Sequence, residues 1–144
     1  MASTASPAVA ADDTAPPSAV EDFAYPNAAK VLADKGIKLI KGDGHILLVD
    51  CADAAAQIKV MTVEDETVGR AGTYCFKVNA KTGYLALEVP RVFYLKTQDH
   101  PITAGLTAGG ETQTVDVPQG GFKGVGEGTV GGAQSVLVAL HVTG

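Results

Sequence analysis

Residues Ile37–Cys51, IKLIKGDGHILLVDC, constrain the fold of this chain more than any other stretch. Two apolar runs flank Gly42-Asp43-Gly44, and glycine-rich turns supply the positive φ angles that tight hairpins need. The segment therefore predicts a β-hairpin whose second strand delivers Cys51. Just before it, Pro26–Gly36 has proline at a helix start, glycine past the end and Lys35 in the last turn. This predicts one helix of about ten residues, with Ala28, Val31 and Leu32 turned inward.

Everything downstream reads as strand and turn. Gln57–Val63 alternates as a half-buried strand, and Glu64–Gly72 is a polar loop. Thr73–Val78 puts Tyr74, Phe76 and Val78 on one face and Cys75 on the other, while Tyr84–Val89 gathers Leu85, Leu87 and Val89. Pro90 interrupts pairing before Val92–Thr97. Ile102–Ala108 and Glu111–Val117 form a second hairpin about Gly109-Gly110. Pro118–Gly132, with seven glycines in fifteen residues, reads as a loop, and Ser135–Thr143 is apolar enough for a central strand. The regular spacing predicts a mainly β fold: a single antiparallel β-sandwich of about eight or nine strands with one short N-terminal helix, a closed barrel being the alternative.

A chain of 144 residues with 46% apolar content suits one domain with a real core, expected over 23–144. Residues 1–22 hold three of the seven prolines, many alanines and no aromatic residue, so a flexible, partly polyproline-like arm is expected there. Within them Ala8-Val9-Ala10, followed by Ala11-Asp12-Asp13, matches the small-x-small pattern of a secretory cleavage site. Residues 1–10 then read as the remnant of a signal peptide, although an ordinary Ala/Ser/Pro-rich tail has the same composition. Net charge is −5, and residues 1–29 carry Asp12, Asp13, Glu21 and Asp22 with no Lys or Arg. Such a balance argues against nucleic acid, and no apolar run reaches the ~18 residues of a membrane-spanning helix.

Cys51 and Cys75 allow one pairing, a disulfide in a secreted chain, with two buried thiols as the alternative. No C-x-x-C or H-x-x-H spacing supports zinc, and Asp43, Asp50, Asp53 and Glu64-Asp65-Glu66 lack calcium-loop spacing. Gly126–Gly131 fits G-x-G-x-x-G only formally, because a strand rather than a helix follows it. A Ser-His-Asp site would require Ser135 to meet His45 or His100 beside Asp50 or Asp99, with no nucleophile-elbow pattern to support it; His141 reads as a surface strand residue. The expectation is a non-enzymatic protein with no catalytic residue, cofactor or metal.

The stretches EDFAYPNAAKVL, KGDGHILLVDC and TYCFKVNAKTGYLALEVP resemble a group of small secreted proteins of filamentous actinobacteria. The resemblance covers residues 20–144 and is carried by GDGHI and the two cysteine neighbourhoods. The chain is also similar to the adaptor subunit of umbrella toxin particles. That implies an extracellular adaptor joining a lectin-bearing subunit to a large repeat-containing toxin subunit. Asp12, Asp13, Pro16, Pro17, Phe23 and Tyr25 are then the partner-binding residues, the acidic and proline residues keeping the arm extended and the aromatics anchoring it. Two other readings remain. A secreted protease inhibitor would present Glu64–Gly72, with Arg70 as specificity residue; a carbohydrate-binding module, which the absence of tryptophan disfavours, would use exposed aromatics drawn from Tyr84, Tyr94 and Phe122, although the first two read more readily as core residues.

Overall fold

In the computed structural model residues 23–144 are described. Alternating apolar residues give most strands one buried face, and two antiparallel sheets bring those faces together. In chain order the elements are β1 (Phe23–Ala24), α1 (Ala28–Lys35), β2 (Lys38–Gly42), β3 (Ile46–Val49), β4 (Ala56–Thr62), β5 (Thr73–Val78) and β6 (Gly83–Val89), followed by β7 (Val92–Thr97), β8 (Ile102–Ala108), β9 (Glu111–Val117), β10 (Phe122–Gly124) and β11 (Val136–Val142). One sheet has the order β1-β2-β6-β11-β8-β9 and the other β10-β7-β4-β5-β3. Phe76, Leu85, Leu87, Leu95, Leu137 and Leu140 form the centre of the core between them. The expected sandwich is present, with eleven strands among the described residues instead of eight or nine. The closing strand β11 is central, bonded to β6 on one side and β8 on the other.

The predicted Ile37–Cys51 hairpin is not formed. β2 pairs with β1 and β6 in one sheet, whereas β3 pairs with β5 in the other, so Asp43-Gly44-His45 is a corner between sheets. Asp43 explains the change of sheet. Its Oδ1 accepts from the backbone N–H of His45 (3.0 Å) and of Tyr84 (3.2 Å), and its own N–H donates to the Tyr84 carbonyl. On the far side the His45 carbonyl accepts from Asn79 N–H (3.1 Å), which aligns β3 with the end of β5. Gly44, at φ 84°, gives the corner its positive dihedral.

The helix is eight residues long. Pro26 lies one residue before the N-cap, Asn27, whose left-handed φ of 61° delays the first helical residue to Ala28. Val31 packs on the core, but Leu32 is 48% exposed, because the helix lies along β2 and turns only one narrow stripe inward. Its C-terminus is held by Tyr74, whose hydroxyl donates to the Lys35 carbonyl and accepts from Ala71 N–H (2.9 Å).

Pro118–Gly132 is likewise more than a loop. It contains β10, which pairs with β7 through Phe122↔Lys96 and Gly124↔Tyr94, and then a single 3₁₀ turn at Gly126–Gly128.

Candidate functional site

At the point where the chain enters the sandwich, Phe23 and Ala24 form the edge of the six-stranded sheet opposite Gly42 and Lys41. Phe23 is 58% exposed, while Tyr25 is packed against the core. The Tyr25 N–H donates to the Ile40 carbonyl, and its hydroxyl accepts from Leu48 N–H (2.9 Å) on the free edge of β3. Tyr25 therefore ties the entering chain to both sheets. Phe23, Tyr25, Ile46, Leu47 and Leu85 line an apolar cleft of about 180 Å³ at this end. Of the six residues expected to bind a partner, Phe23 and Tyr25 meet here, and Asp12, Asp13, Pro16 and Pro17 lie outside the described residues.

Cys51 and Cys75 form a disulfide with a Cα–Cα distance of 5.0 Å. It links the turn after β3 to β5, with Cys51 two residues beyond Val49, the residue that pairs with Cys75. Compared with the expected cross-link of two strands, one end lies in the turn.

The residues weighed for catalysis sit apart. Ser135 is buried and its hydroxyl donates to the Ala133 carbonyl (3.3 Å). His45 Nδ1 meets Asn79 Oδ1 (2.8 Å), and His100 Nδ1 meets the Gly144 carbonyl oxygen (2.8 Å). Asp50 accepts from Ala52 N–H in a local turn, and Asp99 shares two hydrogen bonds with Gln57. Gly126–Gly128 leads to β11, a strand. Among the described residues no three His, Cys, Asp or Glu side chains gather into a metal-holding group. No helix among them is long and apolar enough to cross a membrane.

The loop considered for protease inhibition folds back on itself. Arg70 is 8% exposed, its Nε donates to the Val63 carbonyl (2.7 Å), and its backbone bridges Asp65. A side chain so enclosed cannot fill a protease pocket, which corrects the role given to Arg70. Of the aromatics expected to be exposed, two come together: Phe122 and half-buried Tyr94 stack with ring centroids 5.7 Å apart on the five-stranded sheet, whereas half-buried Tyr84 lies on the other sheet against His141 at 4.8 Å. Phe122 is 64% exposed.

Arg91 and Glu127 clamp the glycine-rich loop to the β6–β7 turn through two parallel hydrogen bonds, Nε to Oε2 (3.0 Å) and Nη2 to Oε1 (2.7 Å). The hydrogen bonds from Arg91 hold the Glu127 carboxyl below its ordinary range. A depressed folded value means that the stabilisation is complete above the ordinary glutamate pKa and is lost as pH falls through the lower folded one. Urea midpoints of the wild type should therefore fall more steeply than those of Glu127→Gln between about pH 5 and pH 3. Parallel curves for the two proteins would show the clamp to be neutral.

A second cleft, of about 340 Å³, opens between the β8–β9 hairpin and the glycine-rich loop, lined in part by Leu106, Glu111, Gln113, Val115 and Val125. Sequence reading passed over Glu111 and Gln113. They share the parity of Val115 and Val117 in ETQTVDV, and that break in the apolar face was the available signal.

No protein-family model and no curated protein sequence matches the chain. Among solved structures, the averaged NMR structure of an antifungal protein from Streptomyces tendae Tu901 aligns with a TM-score of 0.45 and 18% identity, covering 67% of this chain and 98% of that one. A likeness this slight carries no functional argument.

Proposed function

We propose that this chain is a secreted, non-enzymatic connector: its N-terminal segment enters a cleft of one extracellular partner while the sandwich engages a second. The partner classes are those implied by the resemblance to umbrella-toxin adaptors, a lectin-bearing subunit and a large repeat-containing toxin subunit. The observation that carries this reading is Phe23. It is a largely exposed aromatic on a two-residue edge strand, beside an apolar cleft and directly after a stretch whose sequence is acidic and proline-bearing. An edge begun by two residues can be continued on a partner, and aromatic side chains are preferred anchors in such contacts. The disulfide is consistent with an oxidising, extracellular setting.

Deletion of Ala11–Glu21 tests it. Affinity purification from the host's culture fluid should show one partner lost and the other retained, with thermal unfolding unchanged; Phe23→Ala should weaken the same partner. If the truncated protein keeps every partner, the connector reading fails and the Tyr94–Phe122 pair becomes the site to test against polysaccharides.

A further inference from the structure

The geometry points to β9 as the second contact of this connector: an open sheet edge that takes up an extended strand of a partner protein, with a lysine or arginine of that strand seated in the cleft beside it. The inference rests on the connector reading and assigns one of its surfaces.

The two sheets end in four edge strands among the described residues, β1, β9, β10 and β3. β1 is described over Phe23–Ala24 alone, where the described residues begin, and β10 has three residues. β3 has four, and its Leu48 N–H is already bonded to the Tyr25 hydroxyl. β9 differs on each count. It is seven residues long and pairs with β8 in unbroken register from Ile102↔Val117 to Ala108↔Glu111, whereas β2, β4 and β11 each carry a register shift. Its sequence, ETQTVDV, contains no lysine, arginine or proline. Long, regular, uncovered edges are templates for strand addition, and folded proteins protect them with short length, bulges, proline, lysine or an inward-pointing charge.

β9 retains only the last of those devices, and it specifies the guest. Val117 and Val115 face the core, but Glu111 and Gln113 on the same face look into the 340 Å³ cleft, and neither side chain makes a hydrogen bond or ion pair among the described residues. Leu106 from β8 and Val125 from the glycine-rich loop supply apolar surface, and Thr129, Ala133 and Ser135 complete the loop side of the lining. An apolar wall with a carboxylate at the mouth suits a lysine or arginine, whose methylene stem lies on the wall while the cation meets Glu111. A second copy of β9 would bring Glu111 and Asp116 to this edge with no base, so the charge that discourages self-pairing favours a cationic strand.

The test is an NMR titration of the ¹⁵N-labelled full chain with capped nonapeptides of alternating threonine and valine, differing only in a central lysine, norleucine or glutamate. A fourth probe is the lysine peptide N-methylated at alternate backbone nitrogens. The lysine peptide should shift the amides of β9, Leu106 and Val125 and slow hydrogen exchange along β9. Binding should weaken at least fivefold for norleucine or for the Glu111→Gln protein, at least tenfold for glutamate, and vanish on N-methylation. Failure of the lysine peptide to bind overturns the inference, as do equal binding by the glutamate or N-methylated peptide, shifts confined to the Tyr94–Phe122 face, or self-association through β9 without peptide. The same titration on the protein lacking Ala11–Glu21 separates the two readings. Binding at β9 there supports the edge assignment even if that deletion costs no partner, and its absence from both proteins overturns the edge assignment while leaving the N-terminal contact standing.

Discussion

Replacing Cys51 and Cys75 together with alanine should lower folding stability by about 3.5 kcal/mol and the melting temperature by roughly 10–15 °C. The two cysteines are 24 residues apart, and loop-closure entropy removed from the unfolded chain sets that size. Native geometry argues for most of it being realised, because β3 is an edge strand held by four residue pairs with β5 and by the Tyr25 hydroxyl. Once the cross-link is gone, β3 should be the first part of the sandwich to open. Urea unfolding with and without reductant, alongside hydrogen exchange of Ile46–Val49, checks both statements. A loss under 1 kcal/mol, or β3 amides as protected as those of β11, would show that core packing alone holds this edge.

Strands whose signal is local were legible to the residue. Thr73–Val78, Val92–Thr97, Ile102–Ala108 and Glu111–Val117 have the predicted limits, because period-two alternation and flanking turn residues lie within each segment. The failure at Ile37–Cys51 has a long-range cause. Gly42-Asp43-Gly44 is turn chemistry in either outcome, and what sends β3 to the other sheet is bonding to Tyr84 and Asn79, 41 and 34 positions away from Asp43 and His45. β10 was hidden for a related reason: a three-residue strand among glycines exists only because β7 offers it an edge.

The candidate sites show the same division. A single cysteine pair left one pairing to consider, and the disulfide formed as expected. Tyr25 was legible as an aromatic at the domain entrance but not as the cap of β3, since its partner is 23 residues away. Arg70 looked like an exposed loop cation until the Asp65–Arg70 bridge folded it against Val63. Glu111 and Gln113 were visible as letters, but their meaning depends on the glycine-rich loop that walls the cleft from elsewhere in the chain.

Gly36→Ala should destabilise the protein through two separable effects, a dihedral one and a steric one. Gly36 ends the helix at φ 73°, a conformation that costs an L-residue about 1–2 kcal/mol. The added methyl would also lie 2.6 Å from the Val68 carbonyl oxygen and 2.9 Å from the Arg70 nitrogen. Both are backbone atoms, so helix and loop must separate, at a further cost of about 1–3 kcal/mol. That separation pulls on the Tyr74 hydroxyl, which joins the same two segments through Lys35 and Ala71. Gly44→Ala supplies the comparison, since Gly44 has φ 84° but nothing within 4 Å of the added methyl. Urea unfolding of the two variants should show the Gly44 substitution losing only the conformational part and the Gly36 substitution losing both. Equal losses would mean that the Val68–Arg70 backbone yields freely and that Gly36 is required for its dihedral angle alone.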